Sequence, residues 1–427
     1  MTRHALLLLL GVPAAIALAS LAAAGDLGLH ARTLVLVWGA AHVLYLGASW
    51  VALRGAASRR ARTVALVLAV GLVPRLALLP QAPTLSEDLY RYLWDGRLVA
   101  AGVNPFPHPP DDPALARFQD GLLRKLNHAD VPTIYPPAAQ LLFGATARIE
   151  ASPRAWKATL FVLEAILVAA LAFLLARRGA APERLLLYYW NPLVVVEGYG
   201  QGHLDVALAA FLLLALALDA RGRRIGAGIA FALAVLTKYV PLLLLPALVR
   251  RRRWALLGTA AVAGALLFLP FAGAGRSLGG GLLAYARNWE WNGSLYALLR
   301  PLFHRGEPPR FLLAAALAVA ALVVTRRART LTGAALALWM AFLIASPTVF
   351  PWYLVPAVAL LPLHPDPGLL VFSGLVALSY LPLPAYRATG VWTLPPWIPW
   401  VEYGGLALAW IAAAALARRR ARAGPGG

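Results

Sequence analysis

The chain contains no cysteine, only three lysines against 36 arginines, and 18 acidic residues in 427. Without thiols, disulfide staples and thiolate catalysis are both excluded, and the redox compartment leaves no mark on the sequence. Charged residues make up 13% of the chain and hydrophobic ones 61%, with a mean hydropathy of +0.70. No soluble domain of this length has that balance. Apolar runs of roughly 15–22 residues recur along the whole length, the signature of a polytopic α-helical membrane protein. The formal charge of +21 would suggest a nucleic-acid partner in a soluble protein. Here the arginines sit in short loops between apolar runs, a positive-inside pattern that accounts for the charge and leaves nucleic acid out.

That pattern orients the chain. Ala5 to Ala24 reads either as a first span or as a signal peptide. The basic loop of Arg54, Arg59, Arg60 and Arg62 marks the cytoplasm, so the long stretch 84–137 is expected outside. From the other end, Arg418, Arg419, Arg420 and Arg422 put the C-terminus in the cytoplasm and the Trp-rich stretch 384–400 outside. With Arg326, Arg327 and Arg329 inside, 273–310 becomes a second large external loop. The middle fits if 185–219 turns near Gly200–His203. Segment 225–249 either turns near Lys238 or forms one long tilted helix. Residues 135–149 read as a re-entrant or short helix. The expected fold is all-α, one integral membrane domain over 1–427 with about 12–14 membrane helices.

Stretch 84–137 is the one long polar segment, and seven of the 18 acidic residues lie between Glu87 and Asp130. Residues 86–101 carry apolar positions at helical spacing, so an amphipathic helix is predicted there, with Ser86 as N-cap. Asp88, Arg91 and Asp95 share the opposite stripe, and the helix is expected to lie on the bilayer with this stripe in water. Asp88 reads as a general base, with Glu87 as alternate, or as a helix-start charge whose pKa the helix dipole lowers. Lys238 stands between apolar runs, either as a functional cation or as a snorkelling lysine. Glu197, His203 and Asp205 lie beside an apolar span, but their spacing does not make a convincing metal site. Arg287 and Trp289 in the second loop, and Trp352 with Tyr353 at the head of a later span, suit a sugar ring or an interfacial belt.

In their order these pieces resemble a known group. Asp88-Leu89-Tyr90-Arg91-Tyr92, Gly102-Val103-Asn104-Pro105-Phe106, Thr133-Ile134-Tyr135-Pro136-Pro137, Trp190-Asn191-Pro192-Leu193, Gly202-His203-Leu204-Asp205, the helix ending at Lys238, and Ser346-Pro347 ahead of Pro351-Trp352-Tyr353 are similar to the GT-C superfamily of polytopic glycosyltransferases. Within it the chain most resembles bacterial polyprenyl-phosphate-mannose-dependent mannosyltransferases. The resemblance implies a multi-pass protein of the bacterial inner membrane with an extracytoplasmic active site. Asp88 would be the catalytic base for an inverting transfer of a hexose, mannose by similarity. The donor would be a polyprenyl-phosphate sugar, the acceptor a glycolipid or polysaccharide. Glu87, Arg91, Tyr135, His203, Asp205, Lys238, Arg287, Trp289, Trp352 and Tyr353 would contact substrate, with Lys238 first and Arg91 or Arg287 next on the leaving phosphate. No cofactor is implied, and a divalent metal finds no support in the spacing. The competing readings are a transporter or flippase of lipid-linked sugars and a structural subunit.

Overall fold

In a computed structural model, residues 2–55, 61–305 and 307–422 are described. Arg59 and Arg60 of the first basic loop lie outside them. The chain is 76% helical, and no strand forms among the described residues. Among the described residues, eight helices are long and apolar enough to cross a membrane, nine if the bent pair Pro192–Gln201 and Asp205–Ala220 counts as one span. These long helices are fewer than the 12–14 membrane helices expected, and three further apolar helices are too short to be counted with them. Arg224–Val235, Val240–Arg250 and Leu331–Ala345 are short helices of 10–17 residues.

One apolar core runs from Leu7 in the first helix to Leu406 in the last. Helices Arg3–Ser20, Ala31–Leu53, Ala61–Leu78 and Pro153–Arg177 all contribute buried residues to it. Two charges buried there answer each other: Arg75 Nε and Nη2 each donate to the Glu164 carboxylate at 2.8 Å, and Tyr199 donates to it at 2.5 Å. A fully buried ion pair persists only when every remaining donor finds an acceptor, and the last Arg75 nitrogen donates to the Gly71 and Tyr189 carbonyls. Lys157 is buried as well. Its ammonium caps the carbonyls of Gln81 and Gly200, both at 2.7 Å.

The two open points of the middle are decided by local geometry. The chain bends by 120° between Pro192–Gln201 and Asp205–Ala220, at Gly202, whose φ of +77° is open to glycine. A Cβ there would also lie 2.6 Å from Leu89. Segment 224–250 reverses at Lys238. Arg224 and Arg253, from its two ends, both reach the carboxylate of Asp219, the latter at 3.1 Å. A single long helix would hold those ends far apart. Residues 137–149 form a short helix, Pro137–Ile149.

Stretches 84–137, 273–310 and 384–400, all expected on one side, meet. The rings of His128 and Trp289 lie 4.5 Å apart, and Trp291 stacks on Trp392 at 3.8 Å. Into the second loop, helical structure continues from Trp254 through a kink at Gly275 to Asn288.

Candidate active site

The helix of the acidic stretch runs Asp88–Ala100, with Glu87 at the N-cap. Ser86 acts one step earlier than expected, its hydroxyl accepting from the Asp88 N–H at 3.1 Å. The helix does not lie with its polar stripe in water. Arg91 and Asp95 are buried, because the following loop folds over them. Asp95 accepts from Arg91 Nε at 3.0 Å, Thr133 Oγ1 at 2.5 Å and Gln140 Nε2 at 2.9 Å. Arg91 also donates to the Val131 carbonyl. Gly96 and Gly144 let the helix press against Pro137–Ile149: a Cβ on Gly96 would lie 2.7 Å from the Phe143 carbonyl oxygen. Tyr92, Tyr135, Phe143 and Trp156 fill the space beside them with stacked and edge-on rings.

Two further ties bring the middle of the chain to this helix. Gln201 Oε1, just before the bend at Gly202, accepts the N–H groups of Thr84 and Leu85 at 2.9 and 2.8 Å, fixing the entry to Asp88. The first N–H groups of Pro137–Ile149 have no partner in their own helix. Ala138 and Ala139 donate instead to the Leu236 carbonyl, at 2.9 and 3.2 Å. The end of one helix thus caps the start of another, and Lys238 is set beside Tyr135.

The result is a cleft of about 690 Å³. Asp88, Glu87, Arg91, Tyr135, Lys238, Trp289, Trp352 and Tyr353 all line it. Asp88 is half-buried in its wall and makes no ion pair among the described residues. Burial pushes its carboxyl up to about 6, with Glu87 and Asp205 adding to the rise and Lys238 and the Tyr135 hydroxyl opposing it. The lowering expected from the helix dipole is therefore outweighed by desolvation. Burial holds the Tyr135 phenol well above its usual range, so it stays a proton donor. Lys238 Nζ lies 2.7 Å from Asp205 Oδ2 and 4.7 Å over the Tyr353 ring.

Three expected contacts are placed differently. His203 and Asp205 are buried and do not line the cleft. Asp205 serves as counter-ion to Lys238, and His203 stacks on Trp352 at 3.8 Å, with its Nδ1 2.9 Å from Glu197. Arg287 is exposed and outside the lining, so it is no helper at this cleft. Other cleft residues carried no signal of their own in the sequence: Asp130, Tyr380, Tyr386, Arg387 and Trp392 come from separate stretches. Among the described residues no three His, Asp or Glu side chains gather at metal-ligand spacing.

Chemically, the cleft offers a half-desolvated carboxylate, an ammonium and a guanidinium within an aromatic wall. That set can take a proton from a hydroxyl while holding an anion and a polar ring. Residues 10–252 match the family model described as alpha-(1->6)-mannopyranosyltransferase, N-terminal domain. The matched region holds Asp88, Tyr135, Asp205 and Lys238 and ends before Trp289 and Trp352. No curated protein matches the chain.

Proposed function

Because the chain belongs to this alpha-(1->6)-mannopyranosyltransferase family, we propose that it transfers mannose from a polyprenyl-phosphate donor to a lipid-linked or polysaccharide acceptor, outside the cytoplasm, with Asp88 as general base. That the protein is a membrane glycosyltransferase of mannosyltransferase type follows from the family match and its apolar helices. The donor, the side and the roles of residues are our reading. The observation that carries it is that Lys238 lines one cleft with Asp88 and Arg91, although it lies far along the chain from them.

The acceptor in an α-(1→6) transfer is a primary hydroxyl, a poor nucleophile until its proton is removed. Asp88 takes that proton as the oxygen attacks the anomeric carbon, and the bond to the phosphate breaks on the opposite face. Inversion that leaves an α linkage requires a donor sugar joined to its phosphate in the β sense. Negative charge grows on the departing phosphate, so the Lys238 ammonium and the Arg91 guanidinium stabilise the transition state more than the ground state. A carboxylate with a pKa near 6 remains mostly ionised at neutral pH and is a stronger base than an unperturbed one. Trp289, Trp352 and Tyr353 shape the space for the sugar ring.

A flippase would need charges along a path through the spans. Glu164 is tied to Arg75 and Tyr199, and Glu197 accepts from Tyr380 at 2.8 Å, which favours structural roles for both. The test is incubation with labelled polyprenyl-phosphate mannose and identification of the product. Label recovered in an α-1,6-mannoside by the wild type but not by Asp88→Asn supports the reading; movement of the donor with no covalent product overturns it.

A further inference from the structure

A second cleft, of about 470 Å³, opens on the far side of Ser86 and Glu87 from the first. The two share Ser86, Glu87, Asn127, Tyr386 and Arg387 as a common wall, so a molecule seated at Asp88 can reach across it. Three cations line this annex: Arg124, Lys125 and Arg387. Arg387 is answered by Asp26. Arg124 and Lys125 are not: neither makes an ion pair among the described residues, and Lys125 Nζ rests 5.0 Å over the Tyr90 ring. Glu87 is the one carboxylate left to offset them.

These cations are not on a loose loop. Leu115, Leu122, Leu123 and Leu126 pack against Trp94 and Leu98 of the Asp88–Ala100 helix. The backbone that carries Arg124 and Lys125 is thereby fixed to the element that carries Asp88. Two neighbouring cations without an acidic partner among the described residues, one of them over an aromatic face, thus stand beside the proposed reacting centre, where they suit an anion. This pair is separate from Lys238, which lines the first cleft and is paired with the buried Asp205. An anion in the annex and the donor phosphate at Lys238 are therefore kept apart.

We propose that the annex binds an anionic group, of phosphate type, either on the acceptor or on a lipid headgroup that accompanies it, through Arg124, Lys125 and Arg387. This rests on the mannosyltransferase reading above and adds the acceptor's charge to it. The probes are an α-1,6-linked mannobioside and the same mannobioside with a phosphate monoester at its reducing end. In neutral phosphatidylcholine vesicles, the ratio of kcat/KM for the charged to the neutral acceptor should exceed one. It should fall about tenfold or more in Arg124→Gln/Lys125→Gln, since a charge-assisted contact contributes about 1.5–3 kcal/mol. Arg124→Lys/Lys125→Arg, which keeps both charges, should retain the preference, and the KM for the donor should not move.

A second arm identifies the source of the anion. If the neutral acceptor reacts faster when phosphatidylglycerol is added, and only while Arg124 and Lys125 are present, a headgroup occupies the annex. If neither the acceptor's phosphate nor the lipid distinguishes the Gln variant from the wild type, the proposal is overturned. Should the wild type transfer no mannose at all, the reading of function fails instead. Binding of the two mannobiosides, followed by tryptophan fluorescence, still tests the annex by itself.

Discussion

Lys238 Nζ is 2.7 Å from Asp205 Oδ2, and the carboxylate is almost wholly buried while the lysine reaches the cleft. On the proposed reading, the cation that meets the donor phosphate therefore already has a counter-ion. A substrate must share the ammonium with Asp205, and the pair must be considered as one unit in any substitution.

Removing Lys238 alone strands a buried charge. Such an unpaired ion costs about 3–5 kcal/mol. Lys238→Met should lower the thermal midpoint in detergent and abolish transfer. The double variant Lys238→Met/Asp205→Asn should recover much of the stability but none of the activity. Melting curves together with turnover separate the two roles; recovered activity in the double variant would remove Lys238 from the chemistry.

Asp88→Asn should reduce turnover by about 10²–10⁴-fold, the usual contribution of a general base. The same change should stabilise the protein at neutral pH. Because burial raises the Asp88 pKa to about 6, the folded state bears the cost of an ionised carboxylate fully above that pH. The cost fades as pH falls from about 6 towards the unfolded value of 3.8. At pH 7 the gain should be on the order of 1–2 kcal/mol, allowing for the open cleft, and it should vanish near pH 4. Thermal melts of both proteins across this range give the answer.

The pH profile of kcat/KM should fall on the acid side with a midpoint near 6, since only ionised Asp88 accepts a proton. Asp88→Glu should keep an acid limb at reduced height. An acid limb centred near 4 in the wild type would show that the carboxylate at work is not the desolvated one.

Glu164→Gln should destabilise the protein by about 3–5 kcal/mol, because Arg75 then lies uncompensated in the apolar core. A thermal melt in detergent measures it. Residual activity per folded molecule should stay close to that of the wild type, as Glu164 does not line the cleft.

What could be read from the sequence follows from what each signal encodes. Arginine placement orders loops by side, and the stretches it assigned together, 84–137, 273–310 and 384–400, do meet. Apolar periodicity located Asp88–Ala100 to within two residues. It misjudged the environment of Arg91 and Asp95, because a polar stripe faces water only when no polar partner covers it. Here Thr133 and Gln140, remote in sequence, supply that cover. The turn expected near Gly200–His203 is present at Gly202, and the alternative of a turn near Lys238 is the one realised. Arg287 was drawn in by the composition of its loop, and its exposure shows that composition does not aim a side chain. His203, expected to contact substrate, is buried outside the cleft lining and stacks on Trp352, which does line it.

The hairpin of residues 224–250 is clamped at its base, where Arg224 and Arg253 share Asp219, and docked at its tip, where Leu236 receives Ala138 and Ala139. With both ends pinned, the limb length acts as a ruler. Each helical residue advances about 1.5 Å, so adding or deleting one in either limb would shift the ammonium by half the width of a phosphate or more. How far the chain hangs its cation into the cleft is thus counted out in residues of Arg224–Val235, before any substrate arrives.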